Sequence, residues 1–405
     1  MSDTTLFAPD VDAMKTWRHA IHQHPELGFE EHDTSALVAS QLQAWGYEVH
    51  TAIAVTGVVG VLRIGDGSGP RLGLRADMDA LPIQEMTGLP WASKVPGKMH
   101  GCGHDGHTAM LLGAAQALAE RARQGQLPGN GTVVLIFQPA EELGGGGGAR
   151  RMLEERLFER FPCDAIFGMH NMPGIPVGQV HVRPGAFMAS SDKVLIRFIG
   201  LGGHGGLPHK AVDPTLPAAA TVLGLQSIVG RNINPNLAAV ISVGRIQAGS
   251  AYNIIAESAE IELSVRALDP AVRDVVEQRI RELAEHQARA YGCTSEIRYE
   301  RGYPVLINAA APTAFAVEVA RKTFGDEQVV ADAQPLTGSE DFAFLLEQVP
   351  GCYVLVGNGD NGHADGKWAG GCMVHNPHYD FNDACLAVGA RLWVGLAEQY
   401  FEIGA

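Results

Sequence analysis

The spacing of apolar and polar positions in the first part of this 405-residue chain alternates between two periods. Short apolar runs of strand length alternate with longer stretches of helical period, a pattern typical of α/β units. The predicted strands are GVVGVLRI (57–64), RLGLRA (71–76), GTVVLIF (131–137) and DAIFGM (164–169), and the predicted helices cover residues 11–24, 31–45, 104–121 and 149–158.

From about residue 187 the pattern changes. KVLIRFIG (193–200), LAAVISVGRI (237–246), AEIELSVRALD (259–269) and TSEIRYE (294–300) predict strands, and residues 213–230 and 270–291 predict helices. Two successive β-α-β-like passages are typical of a separate small α+β domain. After about residue 302 the first pattern resumes, with a helix at 311–324, a strand at 351–356 and a helix at 383–401.

The sequence therefore predicts an α/β protein of two domains. Residues 1–186 and 302–405 form the larger domain, which has a mixed sheet flanked by helices. Residues 187–301 form a small α+β domain that is inserted into it.

Composition narrows the partners that this protein can have. A net charge of −15 argues against nucleic acid or an anionic membrane as partner. Apolar runs such as VVLIF (133–137) are much shorter than the roughly 20 residues that a membrane-spanning helix needs. The N-terminal residues lack the basic and apolar regions of a signal peptide, and the six scattered cysteines indicate reduced thiols. We therefore expect a cytoplasmic enzyme.

Potential metal ligands cluster in MHGCGHDGHT (99–108) and recur where predicted strands end. Cys102 and His104 precede or open a predicted helix, and Glu141, Glu142 and His170 follow predicted strands. The last candidate, His375, lies in a loop well after the strand at 351–356. In open α/β sheets, ligands bind beside the carboxyl ends of strands and the starts of helices. Thiolate, imidazole and carboxylate together suit zinc, and also cobalt, nickel or manganese. A thiolate or carboxylate can also bridge two ions.

Neighbouring residues also have interpretations that involve no metal. His100 and His107 could support the ligands or pack the helix, and Asp105 could favour the helix N-terminus. The pair Glu141 and Glu142 could lie in a solvated loop. The glycine run at 144–148 could be a flexible loop tip, or it could let backbone amides approach the site; it lacks the Lys-Ser/Thr of a phosphate-binding loop.

Seven motifs occur in an order that resembles the dinuclear metallo-aminoacylase and carboxypeptidase family. They are GCGHDGH (101–107), QPAEE (138–142), GMHN (168–171), GGHGGLPH (202–209), YNII (252–255), GSEDFA (338–343) and HNPHYDFND (375–383). With HPELGFEE (24–31), the similarity runs through nearly the whole chain. It is closest to the amidohydrolase branch, which includes hippurate hydrolases, aminoacylases and indole-acetyl-amino-acid hydrolases.

The resemblance implies a role for each matching residue. It implies two divalent metal ions held by Cys102, His104, Glu142, His170 and His375, with Cys102 bridging them. Glu141 would be the general base that takes a proton from the attacking water and passes it to the leaving amine. The small domain would be a lid that also forms a dimer, with His204 polarising the scissile carbonyl in the other subunit's site. Asn253 and Arg266, with Gly338 and Ser339 nearby, would hold the substrate carboxylate.

Departures from the family pattern bear on the reaction. Asp77 stands where the peptidase branch has a ligand histidine, Asp79 keeps the aspartate that follows, and Cys102 replaces the usual bridging aspartate. These two changes, at Asp77 and Cys102, are those of the amidohydrolase branch. Ala256 stands in place of the usual proline after YNII. The expected reaction is hydrolysis of the amide bond of N-acyl amino acids, a small-molecule substrate. The alternatives are a carboxypeptidase or dipeptidase using the same site, and a catalytically silent ligand-binding protein.

Overall fold

The structure, a computed structural model, describes residues 7–359 and 372–403. Its α-helices are α1 (Val11–Gln23), α2 (His32–Trp45), α3 (His104–Arg123), α4 (Gly147–Glu154), α5 (Leu157–Arg160), α6 (Thr215–Ser227), α7 (Pro270–Ala290), α8 (Ala310–Phe324), α9 (Phe342–Leu346) and α10 (Ala384–Ile403). Its strands are β1 (Glu48–Ile53), β2 (Gly57–Ile64), β3 (Arg71–Asp77), β4 (Gly131–Gln138), β5 (Ala165–Pro173), β6 (Val180–His181), β7 (Gly185–Met188), β8 (Asp192–Ile199), β9 (Gly203–His204), β10 (Ala239–Ala248), β11 (Ile254–Ile255), β12 (Ser258–Ala267), β13 (Thr294–Arg301), β14 (Leu306–Asn308), β15 (Val329–Val330) and β16 (Gly351–Gly359).

The chain divides into two compact units. The large unit contains residues 1–185, 307–334 and 344–405, and the small unit contains residues 186–306 and 335–343. The sequence prediction assigned 335–343 to the larger domain. Backbone hydrogen bonds explain the difference, because the N–H of Ala189 donates to the carbonyls of Leu336 (3.1 Å) and Gly338 (2.8 Å).

The large unit is built on an eight-stranded sheet. The strand order is β1-β2-β4-β3-β5-β16-β6-β15. Strands β4, β3, β5 and β16 are parallel neighbours, whereas β1, β2 and β4 pair in antiparallel fashion. The predicted α/β class with a mixed sheet is therefore confirmed.

Helix α3 lies at the centre of the large unit's packing. It contacts β3 on one side and α1, α2 and α10 on others. Most of its residues are buried, including the apolar run from Ala109 to Leu112. A helix that is apolar on most sides is typical of a fully buried position. This burial fixes the direction of its N-terminus, which carries His104.

The small unit is an antiparallel four-stranded sheet with helices packed on it. Its strand order is β10-β12-β8-β13, and β9 pairs with β11 in a separate two-stranded ladder. Alternate residues of β8, such as Val194, Ile196 and Phe198, are fully buried. They pack with the apolar side of α7 in one core, as the two-residue period predicts.

Several local elements differ from the sequence prediction, and two of them have a clear physical reason. The single helix expected over 149–158 is divided into α4 and α5, because Arg156 adopts a left-handed conformation (φ 64°) that a continuous helix cannot contain. Strand β1 was not predicted. Only Ile53 of its residues is buried, so its sequence lacks the apolar alternation that marks a strand.

Among the described residues, the structure has no helix that is both long and apolar enough to cross a membrane.

Candidate metal centre

The predicted ligands of the large unit gather at the carboxyl edge of its parallel strands. Asp79 lies just after β3, and Glu141 and Glu142 lie just after β4. His170 lies inside β5, which continues to Pro173, and does not follow the strand as the sequence indicated. Because parallel strands end on the same edge of a sheet, residues distant in sequence are brought together here.

Gly103 allows the side chains of Cys102 and His104 to lie close together. Gly103 lies between them with φ of 99°, which glycine adopts without the penalty that other residues incur. A Cβ at this position would lie 2.2 Å from Oδ1 of Asn171. The chain therefore turns sharply after Cys102, and α3 begins at His104.

Six side chains form overlapping clusters of donor atoms. Within each of the following groups, one ligand atom per residue lies within 4.8 Å of the others: Cys102, His104 and His170; Cys102, Glu142 and His375; His104, Glu141 and Glu142. Sγ of Cys102 is 3.2 Å from Nε2 of His170. Oε1 of Glu142 is 3.0 Å from Nε2 of His375, whose side chain is about half exposed. The five predicted ligands and Glu141 thus lie together.

The local electrostatics favour a cation. Burial opposes protonation of His104, but Asp77 and Asp79 outweigh it and raise the pKa of His104 to about 10. Burial, with Glu142 and Glu141 nearby, holds the pKa of the Cys102 thiol well above its usual range. Burial lowers the pKa of His170, which leaves its imidazole neutral and able to donate a lone pair. A bound metal ion would compensate the negative charges that raise the first two values.

Asp79 connects two of the ligand-bearing segments. Its Oδ1 lies 3.2 Å from Nδ1 of His104 and accepts the N–H of Glu141 at 3.0 Å. Its Oδ2 accepts the N–H of Glu142 at 2.9 Å. The main-chain oxygen of Asp79 also lies 2.9 Å from Nδ1 of His104. With Nδ1 engaged in this way, Nε2 of His104 is the nitrogen that can bind a metal.

A second aspartate supports the start of α3. Oδ1 of Asp77 lies 2.6 Å from Nδ1 of His107, and Oδ2 accepts a hydrogen bond from Nη1 of Arg75 at 2.6 Å. Burial opposes ionisation of Asp77, but His104 and Arg75 outweigh it and keep its pKa well below the usual range. His107 therefore supports the site through Asp77, which is one of the two interpretations that the sequence left open.

The donor atoms fit a divalent metal site. Nε2 of His104 is fully buried and makes no hydrogen bond to any described residue. A buried polar atom of this kind needs a partner. Sulfur, nitrogen and carboxylate donors surround it, and these are the ligand types that zinc and related ions bind in proteins.

Two residues near this centre were not identified from the sequence. The Asn171 side chain donates to the hydroxyl of Tyr379 at 2.5 Å, and its Oδ1 lies 2.8 Å from Nε2 of His107. Both residues are buried. The only sequence signal was their place in GMHN and HNPHYDFND, because amide and phenol side chains carry no metal-binding pattern of their own.

The candidate residues of the small unit fall into two groups. His204 and Asn253 line one open groove, where the ladder of β9 and β11 pairs His204 with Ile254. In the second group, Nη1 of Arg266 donates to Oγ of Ser339 at 2.7 Å. Arg266 is only partly exposed, at the end of β12, and Gly338 precedes Ser339.

Comparisons with known proteins place the chain in a family. The profile of "Peptidase family M20/M25/M40" matches residues 73–399. The chain is 44% identical to hippurate hydrolase of Campylobacter jejuni, over 95% of this chain and 96% of that protein. It is 41% identical to N-acetyl-L-cysteine deacetylase of Bacillus subtilis, over 91% of this chain and 83% of that protein.

A solved structure superposes on this chain over nearly its full length. The YXEP protein of Bacillus subtilis, described as a dinuclear metal binding peptidase from the M20 family, superposes with a TM-score of 0.81 at 34% identity. The match covers 97% of this chain and 98% of that one. The family predicted from the motifs is confirmed: this chain is a member of peptidase family M20/M25/M40.

Proposed function

We propose that this protein is a metal-dependent amidohydrolase that cleaves the amide bond of N-acyl amino acids, giving a carboxylic acid and a free amino acid. The observation that carries the proposal is the donor cluster with Glu141 beside it. In this proposal one glutamate of the adjacent pair binds metal and the other transfers the proton. The relatives named as a hippurate hydrolase and an N-acetyl-L-cysteine deacetylase support an N-acyl amino acid as substrate.

Five residues would hold two divalent metal ions, with Cys102 bridging. They are Cys102, His104, Glu142, His170 and His375. The relative described as a dinuclear metal binding peptidase supports two ions. When bound, such ions supply Lewis acidity toward the scissile carbonyl and the attacking water. We propose zinc, manganese, cobalt or nickel, since a mixed sulfur, nitrogen and oxygen donor set accepts each of them.

Glu141 acts as the general base. Its carboxyl group lies among the ligand atoms of His104 and Glu142, and its backbone N–H is held by Asp79. A carboxylate at this place accepts the proton of the attacking water and then donates it to the departing amine. The same residue thereby serves both halves of the reaction.

The small unit supplies substrate recognition. Arg266 offers a guanidinium whose orientation is fixed by Ser339, and a guanidinium binds a carboxylate through two parallel hydrogen bonds. Asn253 and Gly338 complete the residues assigned to the substrate carboxylate. His204 polarises the carbonyl in the site of a second subunit, and the small unit is both lid and dimer interface.

The experiment is a metal and substrate panel. The chelated protein is reloaded with zinc, manganese, cobalt or nickel, and release of free amino acid is followed by mass spectrometry. N-acetyl, N-benzoyl and indole-acetyl amino acids are compared with unblocked dipeptides. Metal-dependent cleavage of the blocked compounds alone supports the proposal. Preferential cleavage of free dipeptides makes the protein a peptidase, and binding of two ions without any cleavage contradicts the amidohydrolase assignment.

A further inference from the structure

The segment HPELGFEE (24–31) supplies none of the proposed metal ligands, although it belongs to the sequence pattern of the family. In the structure it lies against the turns that follow β3 and β4. The N–H of Ala80 donates to the carbonyl of Glu26 at 2.8 Å, next to Asp79. A Cβ on Gly28 would lie 3.0 Å from Cα of Ala140 and 2.7 Å from Cγ of Leu143. The segment therefore packs directly behind the turn that carries Glu141 and Glu142.

Glu31 ends this segment and is fully buried. Its Oε1 accepts the N–H of Ala140 at 2.8 Å, and its Oε2 accepts the hydroxyl of Thr56 at 2.5 Å. Burial raises the pKa of Glu31 to about 7, and the hydrogen bonds from Thr56 and Ala140 oppose that rise because they favour the charged form. One of them is made to the residue immediately before the proposed general base.

Ala140 has a backbone conformation that alanine rarely adopts. Its φ is 55°, in the left-handed region that is unfavourable for residues with a Cβ. Such a conformation persists only where surrounding contacts hold it. The hydrogen bond to Glu31 is a contact of this kind. A second contact is the N–H of Gly148, which donates to the carbonyl of Ala140 at 2.9 Å, while the bond to Glu31 is made to the N–H of the same residue.

Three consecutive backbone N–H groups in this turn donate to buried carboxylates. Ala140 donates to Glu31, while Glu141 and Glu142 donate to the two oxygens of Asp79. Asp79 also contacts His104, so it is tied to the ligands themselves. The carboxylate of Glu31 instead bonds to Ala140 and Thr56, so its effect reaches the centre through the direction of the turn.

We propose that Glu31 is a positioning residue that holds Ala140 in the left-handed conformation and thereby aims the carboxylate of Glu141 at the reacting water. This inference rests on the proposed function, in which Glu141 is the base. It gives the side chain of Glu31 a function in addition to the backbone contact that Glu26 of the same segment makes with Ala80.

The first test separates kcat from KM. Because a misplaced general base slows the chemical step, Glu31→Ala should lower kcat by about 10- to 100-fold while KM and the two bound ions are unchanged. Glu31→Gln keeps an acceptor for Ala140 and should retain most of kcat. Val38→Ala, a truncation of a fully buried residue in α2, is the control for general destabilisation and should leave kcat near that of the natural protein.

The second test is a rescue. Glycine adopts the left-handed conformation without penalty, so Ala140→Gly added to Glu31→Ala should recover part of the lost kcat. Ala140→Gly added to Val38→Ala should not increase kcat. Wild-type kcat in Glu31→Ala, loss of bound metal in parallel with kcat, or failure of the rescue would each overturn the proposal.

A measurement without substrate keeps the test independent of the proposed function. In metal-loaded protein, hydrogen exchange of the peptide containing residues 139–142 should be faster in Glu31→Ala than in the natural protein or in Val38→Ala. Unchanged exchange overturns the role of Glu31 even if the enzyme is active. If exchange is faster in Glu31→Ala but the natural protein cleaves none of the substrates, the role of Glu31 in fixing Ala140 is supported. The proposed amidohydrolase reaction is then the part that is overturned.

Discussion

The Asp79 carboxylate accepts the backbone N–H of Glu141 at 3.0 Å while the same oxygen lies 3.2 Å from Nδ1 of His104. One buried side chain therefore orients both the proposed base and a proposed metal ligand. Partners that orient metal ligands commonly affect metal affinity or activity by a large factor when they are removed.

Asp79→Asn tests this relationship. The amide replaces one accepting oxygen by a donor, so at least one of the bonds to His104, Glu141 or Glu142 is lost. We expect kcat or metal affinity to fall about 10- to 100-fold. Steady-state kinetics and metal titration measure the two effects. Asp66→Asn, at an exposed turn where the Asp66 carboxylate accepts hydrogen bonds from Ser68, is the matched control and should change neither.

Glu141→Gln should separate catalysis from metal binding. Its amide cannot take the proton of the attacking water, so we expect kcat to fall by about 100- to 10,000-fold with two ions still bound. Glu142→Gln should instead lower the number of ions bound. Kinetics and elemental analysis of the two variants give the comparison. Near-normal turnover in Glu141→Gln would remove this residue from the mechanism.

Metal removal should destabilise the large unit. The pKa of the Cys102 thiol is raised by burial and by Glu142 and Glu141, and a bound cation offsets those charges. At a free metal concentration about 100 times Kd, binding adds about 3 kcal/mol to the free energy of unfolding. Scanning calorimetry before and after chelation should show a lower Tm that returns when metal is added back. Cys102→Ser should reduce the difference, and an unchanged Tm on chelation of the natural protein contradicts the site.

A buried histidine on α1 predicts a pH dependence of stability. His22 Nδ1 lies 2.8 Å from Asp105 Oδ2, and its Nε2 lies 3.3 Å from Glu85 Oε2. Burial opposes protonation, but Asp105 and Glu85 outweigh it and raise the pKa of His22 to about 9. Since the folded value lies above the unfolded value of 6.5, this contribution is complete below pH 6.5 and is lost as pH rises through about 9.

The loss should be about 3 kcal/mol in the free energy of unfolding. Urea denaturation at intervals between pH 6 and pH 10 measures it, and His22→Gln should flatten the curve in that window. His50→Gln serves as the control, because the side chain of His50 beside Glu48 is 34% exposed, and it should leave the pH dependence as it is. If the free energy of unfolding falls with pH equally in the natural protein and in His22→Gln, the charged interaction between His22 and Asp105 is contradicted.

Arg266 should recognise the substrate carboxylate. Arg266→Gln removes a charged hydrogen-bond donor to the substrate carboxylate and so weakens binding. We therefore expect KM for an N-acyl amino acid to rise about 10- to 100-fold. The same compound with its carboxylate blocked as an amide should bind both proteins equally weakly. Arg298→Gln, at a mostly exposed side chain of β13, is the control. If Arg266→Gln raises KM equally for the free carboxylate and for the amide, Arg266 has a structural role and does not bind the carboxylate.

Much of the site could be inferred from the sequence because its chemistry depends on residue type and order. Cys102, His104, Glu141, Glu142 and His170 lie at or beside the ends of the strands and helices that runs of apolar residues predict. Strand ends and helix starts meet at one edge of an α/β sheet, which predicts that these residues converge. The assignment of Glu142 as ligand and Glu141 as base came from the family resemblance, since adjacent glutamates have the same chemistry.

Only the tertiary structure showed which hydrogen bonds hold these side chains in place. Glu31 is 109 residues from Ala140 along the chain, and Asp79 is 62 residues from Glu141, so neither hydrogen bond has a local sequence signal. The left-handed conformation of Ala140 could not be predicted from the sequence either, because alanine has no preference for it. Local sequence determines periodicity and donor type, whereas the partners of buried polar groups are set by packing between segments far apart in the chain.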